Sequence, residues 1–527
     1  MSQPSESLKT ALLPAPSNAE TELKLIADSS AFRALASSPA VTARARNRGT
    51  VRLIENVYYD TVGFDLRRRG LALRVRRMGR RCVQTLKTES LPGAASLLSR
   101  GEWEIPAPGG TPDLEALAAA GAGHFLEGLA VAELRPVFTT RVRRHRSVLD
   151  LTDGTGRPSV VEIAFDQGTL EAGPETMPLA EIELELKAGD PAALYGLALE
   201  LSEAADLRIG TESKSDRGYR LAGGAPPARR KQPLPALDAD DPARSAFAGI
   251  LRSCLGHLLG NVAAAIDGRD PEGVHQVRVA LRQLRSALPL FGHLIDLDRL
   301  SWLKGETKWI AGNLGPARDW DVLLTETLPP VEDNWPGDEG LAALREAAEE
   351  ARATAYAAVR ETLADPRCTN FVLQLGRWLE GGNPDAAAAE DERLGDLADR
   401  MLRKRHRAAV RAGRGFAELD AEARHEARIA VKKLRYAVGF FGPLYPGKRL
   451  ARYQKVLKGL QTRLGRFNDR CVAERLLNGL PLAGASLKGA GLVLGWHGRE
   501  AALEEERMVA AWEKFASLKP FWQTARN

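Results

Sequence analysis

The stretch EIELELK, residues 181–187, alternates glutamate with isoleucine and leucine and ends on Lys187. Alternation with a period of two is typical of a β-strand, which places the carboxylates of Glu181, Glu183 and Glu185 on one face. Three carboxylates on one face repel each other unless positive charge lies over them. One interpretation is a strand face that points into water. The other is a strand whose acids face bound cations, and the surrounding sequence favours it.

Residues 20–220 contain further stretches with the same alternation, separated by turn residues. Each stretch puts charged side chains on one face and aliphatic side chains on the other. Both signs of charge occur, so a sheet closed into a barrel can hold them inside, around a polar ligand. The candidates for this inner face are Glu20, Glu22, Lys24, Arg74, Arg76, Lys87, Arg100, Glu102, Glu104, Arg141, Arg143, Glu162, Asp166, Glu181, Glu183, Glu185, Lys187 and Lys214.

These residue types match the two components of a metal–phosphate site. Carboxylates hold hard divalent cations such as Mg²⁺ and Mn²⁺, which prefer oxygen ligands. Arginine and lysine hold phosphate oxygens, and arginine does so in bidentate fashion. A cation that bridges phosphates and carboxylates would remove the repulsion within residues 181–187.

The sequence changes character after residue 222. Residues 223–240, which begin GGAPPARRKQPLP, combine proline, glycine and charge without periodicity, as is typical of a linker. From about residue 244, alanine, leucine and arginine recur at spacings of three and four, which predicts helices. VHQVRVALRQLRSAL (274–288) matches RHEARIAVKKLRYAV (424–438) at an offset of 150, so we expect two repeated helical bundles.

Both copies of this repeat carry a cationic helix face. At helical spacing, that face holds His275, Arg278, Arg282 and Arg285 in the first copy, and His425, Arg428, Lys432, Lys433 and Arg435 in the second. A separate apolar stripe is expected to face the core: Val277, Leu281, Leu284 and Leu288, then Ala427, Val431, Leu434 and Val438. A solvated basic face would explain one such helix. Two copies with the same face favour a shared anion site.

The bulk composition is that of a globular protein with positive charge concentrated in its second half. The net charge is +6, and residues 401–470 hold 19 Lys or Arg against 5 Asp or Glu. This density predicts a polyanionic partner. The four cysteines are far apart and form no CxxC pair, which disfavours a disulfide framework or a zinc site. The N-terminus does not resemble a signal peptide, and no 18-residue apolar run predicts a membrane span.

The order of motifs in the first half resembles the CYTH superfamily, the triphosphate tunnel metalloenzymes. ETELK (20–24) matches its ExExK signature, and VYYDT, LALRVRR, TLK, EIELELK and SKSDRGYRL follow in order. The resemblance covers about residues 18–222 and implies an eight-stranded antiparallel barrel with a tunnel that hydrolyses or cyclises triphosphates.

The resemblance also implies roles for individual residues. Catalytic roles fall on Glu20, Glu22, Lys24, Glu183 and Glu185. The implied metal ligands are Glu20, Glu22, Glu181, Glu183 and Glu185. The implied triphosphate ligands are Lys24, Arg74, Arg76, Lys87, Arg141, Arg143 and Lys214, with Arg52 as a further candidate whose facing the sequence does not fix.

The helical repeat resembles the CHAD domain, the conserved histidine α-helical domain, through the pattern HxxRVxxRxxR. VHQVRVALRQLR matches this pattern closely, whereas RHEARIAVKKLR has Ile429 in place of Val and Lys432 in place of Arg. The resemblance covers about residues 241–525. It implies that the cationic residues of both copies form a basic cleft that binds inorganic polyphosphate.

Together these features predict a multidomain α+β protein. It has a flexible N-terminus (1–17), an eight-stranded antiparallel β-barrel (18–222), a linker (223–240) and an all-α domain (241–525) with repeats at about 244–380 and 391–525. The expected function is hydrolysis of inorganic tripolyphosphate with Mg²⁺ or Mn²⁺, coupled to binding of long-chain polyphosphate by the helical domain. The expected location is the cytoplasm, at polyphosphate granules, with no membrane partner.

Other functions fit the same barrel. They are hydrolysis of thiamine triphosphate or of nucleoside triphosphates, adenylate cyclisation, and a non-catalytic scaffold that binds polyphosphate. Nucleic acid is disfavoured as a partner, because the basic helices lack the interleaved aromatic residues of single-strand binders.

Overall fold

The computed structural model describes residues 19–88, 99–152, 156–223, 226–381 and 392–524. The N-terminal segment 1–17, expected to be flexible, lies outside these residues. The chain divides into two compact units, Met1–Ala225 and Pro226–Asn527. The first unit contains the strands and the second consists of helices.

The described part of the first unit forms one antiparallel sheet of nine strands. They are β1 (Ala19–Ile26), β2 (Thr50–Asp60), β3 (Leu71–Met78), β4 (Arg81–Thr88), β5 (Ser99–Pro106), β6 (Arg135–Thr152), β7 (Pro158–Ala172), β8 (Glu175–Ala188) and β9 (Arg208–Ile209). Their order is β5-β4-β3-β2-β6-β7-β8-β1-β9, and β1 also pairs with β5. The predicted antiparallel sheet is confirmed. Its strand count exceeds the predicted eight by β9, whose two residues are too few to show alternation.

The register of the sheet decides which side chains share a face, since directly opposite residues of antiparallel strands point the same way. Glu22 lies opposite Glu185, and Lys24 lies opposite Glu183. On the next pair of strands, Asp166 lies opposite Glu181. The acids of β1, β7 and β8 therefore belong to one face, which we call the inner face.

Seven short helices accompany the sheet in the described residues. They are α1 (Phe32–Ala36), α2 (Pro39–Thr42), α3 (Asp65–Arg68), α4 (Leu114–Leu117), α5 (Gly123–Leu126), α6 (Ala192–Ser202) and α7 (Lys214–Gly223). Helix α6 contacts β1, β7 and β8 and buries Leu194, Leu197 and Leu201. These contacts cover the aliphatic face of the acidic strands, which explains why their alternation is so regular.

The buried carboxylate of Asp60 fixes helix α7 to the sheet. It accepts hydrogen bonds from the backbone N–H of Leu66 (2.9 Å) and Arg67 (3.0 Å), at the start of α3. The Tyr219 hydroxyl of α7 donates to the same carboxylate at 2.8 Å. This anchor positions Lys214, the first residue of α7.

Aromatic and aliphatic side chains fill one end of the inner face. Tyr58 stacks on Phe138 with ring centroids 4.3 Å apart, and Tyr219 packs edge-on against Phe138 at 5.3 Å. Leu170 completes this buried cluster. This end of the inner face is therefore apolar, unlike the part that carries the acids.

The second unit contains eleven α-helices in its described residues. They are α8 (Ala243–Asp267), α9 (Glu272–Phe291), α10 (Leu297–Asn313), α11 (Gly315–Val322), α12 (Pro329–Asn334), α13 (Glu339–Ala364), α14 (Pro366–Glu380), α15 (Leu394–Ala412), α16 (Ala421–Phe441), α17 (Lys448–Gly479) and α18 (Ala485–Ala516). The predicted helical domain is confirmed. At the offset of 150 residues, α9 corresponds to α16, and α10 with α11 corresponds to α17.

The two copies of the repeat pack against each other through equivalent residues. Phe291 of α9 and Phe441 of α16 are 150 positions apart, and their ring centroids lie 5.5 Å apart. Both predicted apolar stripes are buried, with Val277, Leu281 and Leu434 all at 1% exposure or less. A contact between equivalent residues is what a local two-fold relation between repeats produces.

The copies differ where the first repeat has a proline. Residues LGPARDWDV (314–322) end α10 and start α11, whereas LGRFNDRCV (464–472) continue within α17. Pro316 lacks an N–H and its ring clashes with the preceding turn, so the helix breaks there and restarts with the proline in the first turn of α11.

The segment predicted to be a linker is fixed to the helical unit over its described residues. The amide of the buried Asn261 on α8 accepts from Arg230 N at 3.0 Å and donates to Arg230 O at 2.7 Å. The Ser253 hydroxyl donates to Pro233 O at 2.8 Å. Residues 226–240 thus lie along α8, and composition alone gave no indication of these anchors.

One helix, Ala243–Asp267, is long and apolar enough to cross a membrane by length and composition alone. Its most apolar window is 56% buried inside the unit, as expected for a core helix. This is weak evidence for a span, and the sequence itself predicted none.

Candidate functional site

Three carboxylates of the inner face surround one lysine. Oxygens of Asp166, Glu181 and Glu183 lie within 4.8 Å of one another. Lys214 Nζ lies 2.8 Å from Asp166 Oδ2 and 2.8 Å from Glu183 Oε1, and it also contacts Glu181. The positive charge over the acids of residues 181–187 is therefore supplied by the first residue of α7.

Arg144 of β6 adds a second cation to this cluster. Its guanidinium donates two hydrogen bonds to Asp166, at 2.7 and 2.6 Å, and one to Glu183 at 2.5 Å. Arg217, one turn along α7 from Lys214, contacts Glu181. The acids are thus fully paired, which is the arrangement that buried charges require.

The pairing decides the protonation of the buried groups. Burial would raise the pKa of Glu183, but Lys214, Arg144 and Lys24 hold it well below its ordinary value. Burial would also raise the pKa of Asp166, but Lys214 and Arg144 hold it below its ordinary value. Burial would lower the pKa of Lys214, yet Asp166, Glu181 and Glu183 raise it. At neutral pH the carboxylates of Asp166 and Glu183 and the ammonium of Lys214 are therefore charged.

The remaining predicted acids form a second group on the inner face. Glu22 contacts Lys24, and Lys24 Nζ lies 3.8 Å from Glu183. Glu185, opposite Glu22, contacts Lys187. By its position in the strand, Glu20 belongs to the same face of β1, but its side chain lies outside the described part of the chain. The predicted metal ligands thus divide between this group and the cluster around Lys214.

The predicted phosphate ligands of β3 and β4 face two glutamates of β5. Lys87 lies 2.9 Å from Glu102, and Arg74 lies 3.8 Å from the same carboxylate. Arg76 lies 3.9 Å from Glu104. The two arginine contacts are loose, because a guanidinium group can hold a carboxylate at hydrogen-bonding distance.

Arg74 and Arg76 repel each other. Arg74, together with burial, lowers the pKa of Arg76 to about 10. Asn56 accepts a hydrogen bond from Arg76 Nε at 3.1 Å and holds the side chain in place. Positive charge on this side of the inner face is only partly compensated, which favours an anionic ligand.

The prediction of Arg141 and Arg143 as inner-face residues is wrong. Arg144 lies opposite Asp166, so the inner-face positions of β6 are Val142, Arg144 and Arg146. Arg141 is half exposed and pairs with Glu55 and Glu171 on the opposite face. The stretch RVRRHR (141–146) has two arginines on each alternation, so the sequence cannot choose between the faces.

Arg52 and Arg217 add two further cations near the inner face. Arg52 lies opposite Arg144, which places it on the inner face. The sequence alone left its facing open. Arg217 was missed. Its spacing of three residues from Lys214 on a helix was the available signal, since such residues share a helix face.

The cationic faces of α9 and α16 meet in the helical unit. Arg282 of α9 lies beside Tyr436 of α16: burial raises the pKa of the Tyr436 hydroxyl, and the charge of Arg282 opposes that rise. Burial and the charges of Arg282, Arg428, Arg278 and Arg285 lower the pKa of Lys432 to about 8. Three of those arginines belong to α9 and Lys432 belongs to α16, so both repeats contribute to one field. We call this set, with Lys433 and Arg435, the cationic cleft.

The other predicted residues of the cleft differ in exposure. Burial and Arg318 lower the pKa of the half-buried His275, whereas His425 is exposed. Arg278 donates to Ala311 O at 2.7 Å. Arg285, Lys433 and Arg435 are exposed, and Arg435 contacts Gln461.

Asp319 and Asp469, equivalent residues of the two repeats, face a common cavity of about 50 Å³. Val322 and Val472, also equivalent, line the same cavity. Asp319 pairs with Arg475 at 3.2 Å. These carboxylates therefore lie beside the cationic cleft at the junction of the repeats.

Comparisons with known proteins divide the chain at the same place. The family model of the CYTH domain matches residues 18–219, and that of the CHAD domain matches residues 249–478. An inorganic triphosphatase of Haemophilus influenzae is 32% identical over 167 residues, which is 32% of this chain and 45% of the relative. The match thus spans less than half of that relative's length.

Two further relatives extend into the second unit. An uncharacterized protein of Mycobacterium tuberculosis is 27% identical over 447 residues, 80% of this chain and 81% of the relative. The crystal structure of the CHAD domain from the plant Ricinus communis is 32% identical and has a TM-score of 0.48. That similarity covers 55% of this chain and 97% of the plant chain.

Proposed function

The chain belongs to the CYTH family in its first unit and to the CHAD family in its second, and we propose that it hydrolyses inorganic tripolyphosphate and binds long-chain polyphosphate. The observation that carries the hydrolase proposal is the division of charge on the inner face. Three carboxylates cluster on β7 and β8, and three cations that were predicted to bind phosphate, Arg74, Arg76 and Lys87, lie on β3 and β4. The similarity to an inorganic triphosphatase supports the same reaction.

The inner face of the sheet is the wall of the proposed tunnel. The pairing of β1 with β5, which joins Thr21 to Ser99 and Ala19 to Gly101, supports closure of eight strands, with β9 added at β1. The aromatic cluster of Tyr58, Phe138 and Tyr219 would close one end. A triphosphate would then enter from the charged end.

The acidic cluster fits a divalent cation. All its donors are carboxylate oxygens, which Mg²⁺ and Mn²⁺ prefer. The ammonium of Lys214 already contacts Asp166, Glu181 and Glu183, so the cluster accepts a positive charge at its centre. These three acids, with Glu22 and Glu185 beside them, would hold the metal. When bound, the metal would neutralise part of the phosphate charge.

The protein side chains would carry out the rest of the reaction. Arg74, Arg76 and Lys87 would hold the phosphate oxygens, and their charge would stabilise the negative charge that develops as the phosphoanhydride bond breaks. Lys24 and Arg144 would connect this cationic group to the acids. Water attacks the terminal phosphorus, and the products are orthophosphate and pyrophosphate.

The aromatic content of the inner face supports an inorganic substrate over a nucleotide or thiamine triphosphate. Among the described inner-face residues, Tyr58 and Phe138 are aromatic, and both are 3% exposed and stacked on each other. A base or thiazole ring would need an open aromatic or apolar surface.

Phosphate release from tripolyphosphate, ATP and thiamine triphosphate tests the proposal. We expect tripolyphosphate to be the preferred substrate with Mg²⁺ or Mn²⁺, and chelation to abolish the reaction. A faster rate with ATP or thiamine triphosphate would establish one of the alternative hydrolases. Binding without hydrolysis of any of them would support the scaffold.

The cationic cleft supports the second part of the proposal. Burial and the charges of nearby arginines together lower the pKa of Lys432, so positive charges lie close together in the cleft, and an extended chain of phosphates would supply counter-charge. Because the contacts are electrostatic, binding would be independent of nucleotide sequence and sensitive to salt. Such a protein is expected in the cytoplasm at polyphosphate granules.

Removal of the cleft charges tests polyphosphate binding. Alanine at Arg282, Arg285, Lys432 and Arg435 is expected to weaken long-chain polyphosphate binding and flatten its salt dependence, with tripolyphosphate hydrolysis unchanged. The control replaces four exposed cations elsewhere in the unit: Arg360, Arg449, Lys514 and Lys519. Equal losses from both sets would mean that net charge alone determines binding. Preferential binding of DNA at matched charge would identify a nucleic-acid partner instead.

A further inference from the structure

Thr85 of β4 is a buried inner-face residue whose hydroxyl has no hydrogen-bond partner. The side chain is 0% exposed, and its Oγ1 makes no hydrogen bond. Arg74 lies directly opposite on β3, and its Nε is also buried without a partner. Two unsatisfied polar atoms thus stand on adjacent strands, at positions whose Cβ atoms are typically about 5 Å apart.

Other buried threonines in the described part of the sheet are satisfied. Thr88, on the same strand but on the opposite face, accepts from Gly101 N at 3.2 Å. Thr140 accepts from Asn56 Nδ2 at 2.9 Å. A valine would fill the place of Thr85 with the same shape and without an unsatisfied hydroxyl, so packing does not explain threonine at this position.

Thr85 lies within the charged part of the inner face. Arg74 lies opposite it on β3, and Lys87 is the next inner-face residue of β4. Glu102 and Glu104 of β5 lie opposite Lys87 and Thr85. A phosphate bound by Arg74 and Lys87 would therefore lie beside Thr85.

We propose that the Thr85 hydroxyl and the Arg74 Nε–H form a phosphate subsite that binds the end group of the phosphate chain. The inference rests on the proposed function, in which a triphosphate enters the inner face from its charged end. A terminal phosphoryl group presents three oxygens, enough to accept from Thr85, Arg74 and Lys87 together. An end group without those oxygens would leave the hydroxyl unsatisfied.

The arrangement of charges supports a phosphate at this point. Arg74 Nη2 lies 3.8 Å from Glu102, beyond hydrogen-bonding distance, and Arg76 Nη1 lies 3.9 Å from Glu104. The terminal nitrogens of both arginines are therefore not held by these carboxylates, while Asn56 fixes Arg76 through its Nε. Thr85 adds a neutral donor there, which contributes a hydrogen bond without increasing the repulsion between Arg74 and Arg76.

The test compares three full-length variants: Thr85→Val, Thr85→Ser and the outer-face control Thr88→Val. For Thr85→Val we expect kcat/KM for tripolyphosphate to fall about 10- to 100-fold, as for loss of a hydrogen bond to a charged group. Its melting temperature is expected to equal or exceed that of the wild type. Thr85→Ser is expected to retain most activity. Thr88→Val should show the reverse, with a lower melting temperature and unchanged kinetics.

Binding is measured separately by calorimetric titration of tripolyphosphate in EDTA, where no hydrolysis is expected. The titrated proteins also carry Arg282→Ala and Lys432→Ala, which weaken binding to the helical unit. We expect Thr85→Val to weaken the remaining binding about tenfold or more.

The outcomes separate this inference from the proposed function. If the wild type hydrolyses tripolyphosphate and Thr85→Val matches it in kinetics and binding, the subsite is refuted and the function stands. If the wild type does not hydrolyse tripolyphosphate but Thr85→Val binds it more weakly, the function is refuted and the subsite stands. A Thr85→Val protein that is less stable but kinetically normal would show that Thr85 is structural.

Discussion

Two adjacent arginines on opposite faces of β6 provide the sharpest test of the active site. Arg144 makes three hydrogen bonds to Asp166 and Glu183, at 2.5 to 2.7 Å. Arg143 is exposed on the other face and makes no ion pair among the described residues. Methionine at either position removes one positive charge and keeps most of the aliphatic stem. The pair of variants therefore differs in location and in little else.

The expected loss of stability follows from burial. Arg144→Met leaves the fully buried Asp166 with Lys214 as its remaining cationic partner, and removal of one member of a buried ion pair costs about 3–5 kcal/mol. For a unit of this size, that corresponds to a decrease in melting temperature of about 6–20 °C. Arg143→Met is expected to change the free energy of unfolding by about 0.5 kcal/mol or less, as for an exposed residue.

The activity and its pH dependence should change with stability. Loss of one positioned cation is expected to lower the rate of tripolyphosphate hydrolysis about 10²- to 10³-fold, by analogy with loss of an oxyanion-hole donor. The pKa values of Asp166 and Glu183 lie below their ordinary values of 3.8 and 4.5. Their stabilising contribution is therefore present above about pH 4.5 and is lost as the pH falls further. Without Arg144 both pKa values rise, so acid unfolding should begin at a higher pH.

Calorimetry and phosphate-release assays on both variants, from pH 3.5 to 8, measure these effects. Equal losses of activity and stability in Arg143→Met and Arg144→Met would refute the register of β6 described above. A larger loss in Arg143→Met would restore the assignment expected from the sequence.

Three further predictions concern the metal site, the cleft and the segment before the helical unit. Glu22→Gln is expected to reduce tripolyphosphate hydrolysis about 10²-fold at saturating metal with the fold retained, and wild-type turnover would exclude Glu22 as a metal ligand. Polyphosphate affinity is expected to fall as the pH rises through about 8, where Lys432 loses its proton. Lys432→Arg should remove this dependence and the exposed control Lys433→Arg should not, as titrations from pH 7 to 9.5 would show. A helical fragment that starts at residue 241 is expected to be less stable to urea than one that starts at residue 226. The difference should be about 1–3 kcal/mol for each buried group left unsatisfied. Equal urea midpoints of unfolding would mean that residues 226–240 contribute nothing to stability.

The acidic strands could be predicted from the sequence because their other face is aliphatic. In β1 and β8, glutamate and leucine or isoleucine occupy opposite alternations, and helix α6 covers the aliphatic side. Only one orientation of these strands buries the leucines, so the sequence determines which of their side chains face inward. In β6 the arginines at 141, 143, 144 and 146 occupy both alternations, and neither facing is excluded. The wrong prediction arose where the pattern itself is ambiguous.

Contacts distant in sequence could not be predicted in the same way. The sequence predicts Lys214 as a triphosphate ligand, but its position among three carboxylates depends on the packing of α7, which Tyr219 fixes to Asp60. The segment at 226–240 was interpreted from its composition, which resembles a linker. Its attachment depends on one buried amide, Asn261, within a helix of mostly apolar residues. A polar residue at such a position indicates a buried partner, but it does not identify which segment supplies it.

The two units use opposite charge arrangements, and this difference determines how each would bind phosphate. On the inner face of the sheet, Lys214, Arg144, Arg217 and Lys24 are balanced by buried carboxylates, so the attraction for a polyanion before a divalent cation arrives rests on Arg74, Arg76 and Lys87. In the cationic cleft, burial and the charges of neighbouring arginines together lower the pKa of Lys432, so positive charges lie close together there. Under the proposed function, hydrolysis in the first unit would need a divalent cation, whereas polyphosphate binding in the second unit would not. Chelation should therefore stop hydrolysis while polyphosphate remains bound to the helical unit.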